Sequence, residues 1–286
     1  MEKTYLSLLI LILLLGCIRP PEEEEEERGP GLQIREFLVE EGALVPNERT
    51  RALLRIENLG DHEAREINVI LMNYGEILLP EAEDSLGDPS NFSLERGSRL
   101  IEWKLLAPPK GYVERRYNII ARVYYFYQTI GYQDLVFVPA GVSPISTPES
   151  GSTLSPLGIS ITSDYPIELV GEANFSVEVR IENVGKGYIS YYKEMERENM
   201  LEKVLIIAPK EWTMLSRDWN CRLVGEKKEC EPTKEIRVAR GEEVTLFLKF
   251  RRSEIKVETK ERIRIELSYG YAIDSSPIQV ILRKAV

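Results

Sequence analysis

The sequence predicts an all-β chain built as two tandem antiparallel sandwich domains, and three observations carry that prediction. The first is an internal repeat: Leu54-Arg55-Ile56-Glu57-Asn58-Leu59-Gly60 matches Val179-Arg180-Ile181-Glu182-Asn183-Val184-Gly185 at a spacing of 125 residues. Two later matches, Arg96-Gly97 with Arg240-Gly241 and Val123-Tyr124-Tyr125-Phe126-Tyr127 with Leu267-Ser268-Tyr269-Gly270-Tyr271, fall at a spacing of 144, so the second copy holds 144 less 125, or 19, extra residues between the first and second matches. The second observation is period two: Phe175, Val177, Val179 and Ile181 share one strand face while Ser176, Glu178, Arg180 and Glu182 share the other. The series Ile119 to Tyr127 and Ile263 to Tyr271 alternate in the same way. The third is punctuation by turn residues with few helical periods, which favours consecutive antiparallel strands stacked as sheets. Asn58-Leu59-Gly60 and Asn183-Val184-Gly185 end their strands with residues that tolerate positive φ.

Ahead of the first repeat, Lys3 is followed by an apolar run from Leu6 to Leu15 and then by Gly16-Cys17. This is the layout of a secretory signal peptide, residues 1–16, and the run falls short of the roughly 20 apolar residues a membrane span needs. The junction Leu14-Leu15-Gly16-Cys17 resembles the lipobox of lipoprotein leaders. That resemblance implies cleavage before Cys17, a lipid on its sulfur, and anchorage to the outer face of the cytoplasmic membrane. The other reading is a short uncleaved anchor in which Cys17 is a small hydrophobe. Residues 17–31 then carry Pro20-Pro21, six glutamates from Glu22 to Glu27 and Gly29-Pro30-Gly31, a self-repelling spacer with a reach of up to roughly 45 Å.

The first domain is placed at 32–138, a Pro- and Ser-rich linker at 139–156, and the second domain at 157–286. The strand ending in Glu-Asn-x-Gly and the Ala64, Ile67, Val69 and Leu71 that follow resemble the immunoglobulin-like modules of archaeal and bacterial surface proteins, such as the cell-adhesion-related CARDB group. The resemblance rests on about a dozen positions in each repeat. It implies an immunoglobulin-like sandwich in each domain and a role as stalk, adhesin, scaffold or accessory module; the sequence departs from the longer family members in having two modules and no attached catalytic domain.

The extra residues of the second repeat lead into Trp212, Trp219, Cys221 and Cys230. The two cysteines flank Gly225, Glu226, Lys227 and Lys228, which predicts a disulfide across a hairpin in an oxidising compartment. A metal site lacks partners there, since there is no second Cys pair and the single His, His62, sits in the other repeat. Trp212 and Trp219 either cover the sandwich edge or stack on a sugar ring or anchor a partner. Ile120, Tyr124 and Phe126 alternate with the inward set, so they form an outward apolar stripe that meets the other domain, a partner or a local loop. Asn91-Phe92-Ser93 and Asn174-Phe175-Ser176 are glycosylation sequons, of which Asn91 lies in the more polar context.

With 37 basic against 47 acidic residues the net charge is −10, and it is still −6 without residues 1–28, which opposes binding to nucleic acid. No nucleophile elbow, phosphate loop, metalloprotease motif or dinucleotide fingerprint occurs, and His62 reads as a solvated turn residue. No enzyme activity and no cofactor are therefore expected. The expected role is structural: an accessory or scaffold component of a cell-envelope or surface-filament assembly, with carbohydrate or solute binding as the alternative. Four Gln among many Glu, Lys, Arg and Ile lean towards a thermophilic, archaeal source.

Overall fold

The computed structural model describes residues 30–78, 91–109, 113–192 and 194–284. The leader, Cys17 and the glutamate run lie outside the described residues. The first repeat forms β1 (Leu32–Val39), β2 (Ala43–Leu44), β3 (Arg49–Asn58), β4 (Ala64–Met72), β5 (Phe92–Leu94), β6 (Gly97–Leu106) and β7 (Arg115–Pro139). The joining segment carries β8 (Ser150–Ser152). The second repeat begins with β9 (Leu157–Ser163), β10 (Ile167–Leu169), β11 (Ala173–Asn183), β12 (Tyr188–Ile189), β13 (Lys203–Pro209) and β14 (Thr213–Met214). It ends with β15 (Trp219–Val224), β16 (Lys227–Pro232), β17 (Glu243–Arg252), β18 (Thr259–Asp274) and β19 (Ile278–Leu282). Among the described residues there is no α-helix, only a short 3-10 turn at Met195–Arg197. The fold is an all-β sandwich.

Two small antiparallel sheets, β1-β3-β6 and β14-β17-β11-β9, pack on one long sheet whose middle strands are β7 and β18. Burial alternates from Ile119 to Gly131 and becomes continuous from Asp134 to Val138, but the register of β7 with β18 has no shift, so Ile119, Ala121 and Val123 share a face with Leu135 and Phe137. As a result the second half of β7, which the sequence places in the first repeat, lies beneath the second. It pairs there with β18 on one side and with β8 and β10 on the other. Reciprocally, the end of β18 and then β19 run beside the first half of β7. Each repeat thus takes its closing strand from the other. The parallel pairs β2 with β19 and β10 with β7 are equivalent consequences of that exchange.

The antiparallel register sets Tyr125 opposite Tyr271 and Tyr127 opposite Tyr269. Because Tyr125 and Tyr127 correspond to Tyr269 and Tyr271 in the repeat, the pairing has an approximate twofold axis at Phe126 and Gly270. The four rings are buried and touch edge-on or tilted, with centroids 5.7–6.1 Å apart.

From this quartet each repeat is capped in the same way. Tyr127 Oη accepts from the His62 amide (3.2 Å) and donates to Asn58 Oδ1 (3.4 Å), which also accepts from the Gly60 amide (3.1 Å). In the second copy Tyr271 Oη accepts from the Gly187 amide (3.1 Å) and donates to Asn183 Oδ1 (2.6 Å), which accepts from the Gly185 amide (3.2 Å). The glycines have a different reason from the one expected. Neither Gly60 nor Gly185 adopts positive φ; a Cβ at Gly60 would overlap Tyr127 Oη, and one at Gly185 would overlap Tyr271 Oη. Tyr269 Oη repeats the symmetry by accepting from the Leu157 amide (3.2 Å), while the Leu32 amide faces Tyr125 Oη without a hydrogen bond of ordinary geometry.

The joining segment is tied down by hydrogen bonds rather than apolar burial. Leu154 exchanges two with Asp61, through its carbonyl (3.0 Å) and its amide (2.7 Å). The amides of Ile145 and Ser146 donate to the Glu258 carboxylate at 2.6 and 2.7 Å.

The exchange and its caps can be tested in three ways. A chain cut between residues 156 and 157 leaves each half without its closing strand, so neither half alone is expected to fold, whereas refolding the two together restores the β spectrum by circular dichroism. A first half that folds by itself would contradict the exchange. Tyr127→Phe or Tyr271→Phe leaves an Asn carbonyl and a backbone amide short of a partner, at a cost of about 1–2 kcal/mol, seen as a Tm lower by a few degrees. Burial pushes both hydroxyls up to about 12. Since the folded values exceed the unfolded value near 10, the resulting stability is fully present below pH 10 and is lost as pH rises from there through about 12. Unfolding followed against pH should show the double Phe variant losing less stability across that window than the parent.

Candidate interaction surfaces

The outward stripe is the first site to place. Ile120, Tyr124 and Phe126 are half-buried on the outer face of β7. Tyr192 lies against Tyr124 with ring centroids 5.6 Å apart, and Tyr191 against Phe126 at 5.5 Å. Both covering tyrosines come from the additional residues of the second repeat. β4 passes this point with a bulge at Glu66 (φ 50), whereas the chain after β12 leaves the sheet at Ser190 and rejoins it at Lys203. Gly270 is the reason the loop can lie so close, because a Cβ there would meet the Ser190 carbonyl and the Tyr191 ring at 2.7 Å. Tyr124 and Phe126 of the stripe are therefore covered in part by the chain's own loop.

A crevice of about 110 Å³ remains at its edge, lined by Tyr124, Phe126, Tyr191, Tyr192, Glu66 and Glu194. Arg197 already stacks on Tyr191 (4.3 Å) and pairs with Glu194 (3.0 Å) at its rim. A second crevice of about 160 Å³ lies between β7 and β9 beside Pro148 and Tyr165. Both are smaller than the roughly 300–1,000 Å³ of ordinary small-molecule sites.

Trp212 is fully buried, packed among Phe137, Phe175 and Phe250 with centroids 4.9–5.6 Å away. Its indole Nε1 donates to Glu261, which also holds the buried Arg252. The position of Trp212 is one of core packing, and a sugar ring has no access to it. Its companion Trp219 is half-buried at the start of β15, opposite Pro232. Cys221 and Cys230 are bonded (S–S 2.01 Å) and stand directly opposite each other in the β15–β16 ladder. Gly225 (φ 60) and Glu226 form the two-residue turn between these strands.

Asn91 is exposed with φ 55 just before β5, while Asn174 is exposed within β11 and its Oδ1 accepts from Arg251 Nε (3.1 Å). His62 differs from the solvated residue expected of its polar turn. It is half-buried edge-on to Tyr127, and its Nε2 is buried without a hydrogen bond to protein. Period and turn signals alone do not reveal this, because the tyrosine that covers it is 65 residues away in sequence.

One charged group escaped sequence reasoning. Asp134 is buried on β7, with Arg262 at 2.6 Å and Lys260 at 3.0 Å, and both cations also reach Glu149. The hydrogen bond from Arg262, followed by that from Lys260, holds the Asp134 carboxyl below the usual carboxylate range. The signal was faint, since Arg262 and Lys260 read as the wet face of an ordinary strand. Among the described residues no group of three or more His, Cys, Asp or Glu is arranged to hold a metal ion, and no helix is long and apolar enough to cross a membrane. No protein-family model and no curated protein matches the chain.

Proposed function

We propose that the chain is a lipid-anchored, extracytoplasmic structural protein, an accessory or scaffold component of a cell-envelope or surface-filament assembly that works by binding partners. The observation that most supports this reading is the strand exchange between the repeats, in which β7 lies in both and is tied to β18 and β19 along its length. A body tied in this way suits a part that must hold a partner at a set distance and angle from its anchor. In this reading Cys17 carries the lipid, and the six glutamates keep the body off an anionic membrane surface. The resemblance to adhesion-related surface modules points the same way. Since Trp212 is a core residue and the stripe at Tyr124 and Phe126 is covered in part, partner contact falls to exposed elements such as the β15–β16 hairpin.

Mild crosslinking of intact source cells, detergent extraction and mass spectrometry test the proposal. The expected result is an N-terminal peptide that starts at lipid-modified Cys17, with crosslinks from Lys227, Lys228 or Lys234 to envelope or filament proteins. An unmodified Cys17 removes the anchor, and a protein recovered without crosslinked partners removes the scaffold role.

A further inference from the structure

We propose that β15 is a docking edge for a second copy of the chain, paired antiparallel about a twofold axis at Cys221. β15 ends the long sheet and pairs only with β16 among the described strands. The facing Cys221 and Cys230 have their Cα atoms 4.1 Å apart, the short spacing of a non-hydrogen-bonded antiparallel pair. It follows that the backbone N–H and C=O groups of Trp219, Cys221 and Leu223 point away from β16, towards the open edge, while those of Asn220, Arg222 and Val224 face the ladder.

Open edges of this kind are normally blunted by lysines, proline, a bulge or a covering segment. Among the described residues β15 has none of these. Its register with β16 is regular, and its one charged side chain, Arg222, is held by Glu229 at 3.0–3.2 Å. Leu223 is 63% exposed and Val224 46%. The disulfide fixes the hairpin so that the edge is formed before any partner arrives, which lowers the ordering cost of strand addition.

The occupant is a second copy because the strand complements itself. With the axis at Cys221, each Trp219 stands opposite the other copy's Leu223, an aromatic–aliphatic pair, and each Asn220 stands opposite Arg222. Cys221 faces its counterpart with both backbone groups available, so it and the Trp219–Leu223 pairs form the hydrogen-bonded positions of the new ladder. Moving the axis to Arg222 would set two guanidinium groups against each other, and moving it to Leu223 would run the strand into the turn at Gly225. The contact is isologous, so it closes at two copies and continues the long sheet from one protein into the next. It requires neither the lipid anchor nor any envelope partner.

Sedimentation velocity of the full chain in density-matched detergent, over a wide concentration range, tests this. The parent should pass from one copy to two as concentration rises, with slowed amide exchange at Trp219, Cys221 and Leu223 in the two-copy form. Leu223→Pro removes an edge donor that the β15–β16 ladder does not use, and Leu223→Lys adds an edge charge without changing the backbone. Each variant should retain the Cys221–Cys230 bond and stay a single copy at concentrations where the parent is paired. A parent that stays single throughout, or a pair that survives both substitutions, overturns the proposal.

Discussion

The fold depends on the antiparallel pairing of β7 with β18. On the inward face of each strand three aliphatic residues are followed by two tyrosines, and the register brings the four tyrosines to one place. Rings of that size bury roughly 150–250 Å² each, so the quartet is a large apolar contribution at the centre of the sheet. The hydroxyls then do local work at some distance from the pairing: Tyr127 and Tyr271 close the two Asn-x-Gly turns, and Tyr269 reaches the start of β9. Sliding β7 by two residues against β18 would keep its faces correct but move every one of these hydroxyls from its turn. The caps therefore specify a register that the hydrophobic pattern alone leaves open.

Approximate symmetry at the centre makes the departures from it informative. In the first repeat β4 crosses the axis region as one bulged strand. In the second, the equivalent path is split between β12 and β13, and the residues between them fold back over Tyr124 and Phe126. An exposed aromatic stripe on the sheet's outer face would have been an adhesive surface; the loop covers part of it from within the same chain. Further along, the second repeat adds the disulfide-closed hairpin at the sheet's end. One addition thus hides apolar surface near the axis, and the other extends the sheet away from it.

Much of this was legible in the sequence. The repeat, the period-two strands, the hairpin and its disulfide all depend on local spacing, which is what sequence displays most directly. The strand exchange was not legible, because period two says which face a residue takes but not which strand lies beside it. A strand of 25 residues was the available clue, since a single sandwich of ordinary size has no use for one so long. Trp212 shows the same limit from the other side. Its neighbours in sequence, Glu211 and Thr213, are polar and exposed, and only the packing of Phe137, Phe175 and Phe250 from three distant strands makes it a core residue. The glycines of the Asn-x-Gly turns were placed correctly but for another cause, since close approach and positive φ select the same residue.

Strand exchange also bears on how the molecule transmits load. Two sandwiches joined by a flexible linker would let the second swing freely about the first, and a pull on the N-terminal side would be taken up by the linker. Here β7 runs through both, so moving one repeat relative to the other requires breaking its ladder with β18 or β19. Antiparallel ladders resist that motion together, because the pairs along β7 share one continuous strand. The segment 139–156 adds ties at Asp61 and Glu258 instead of slack.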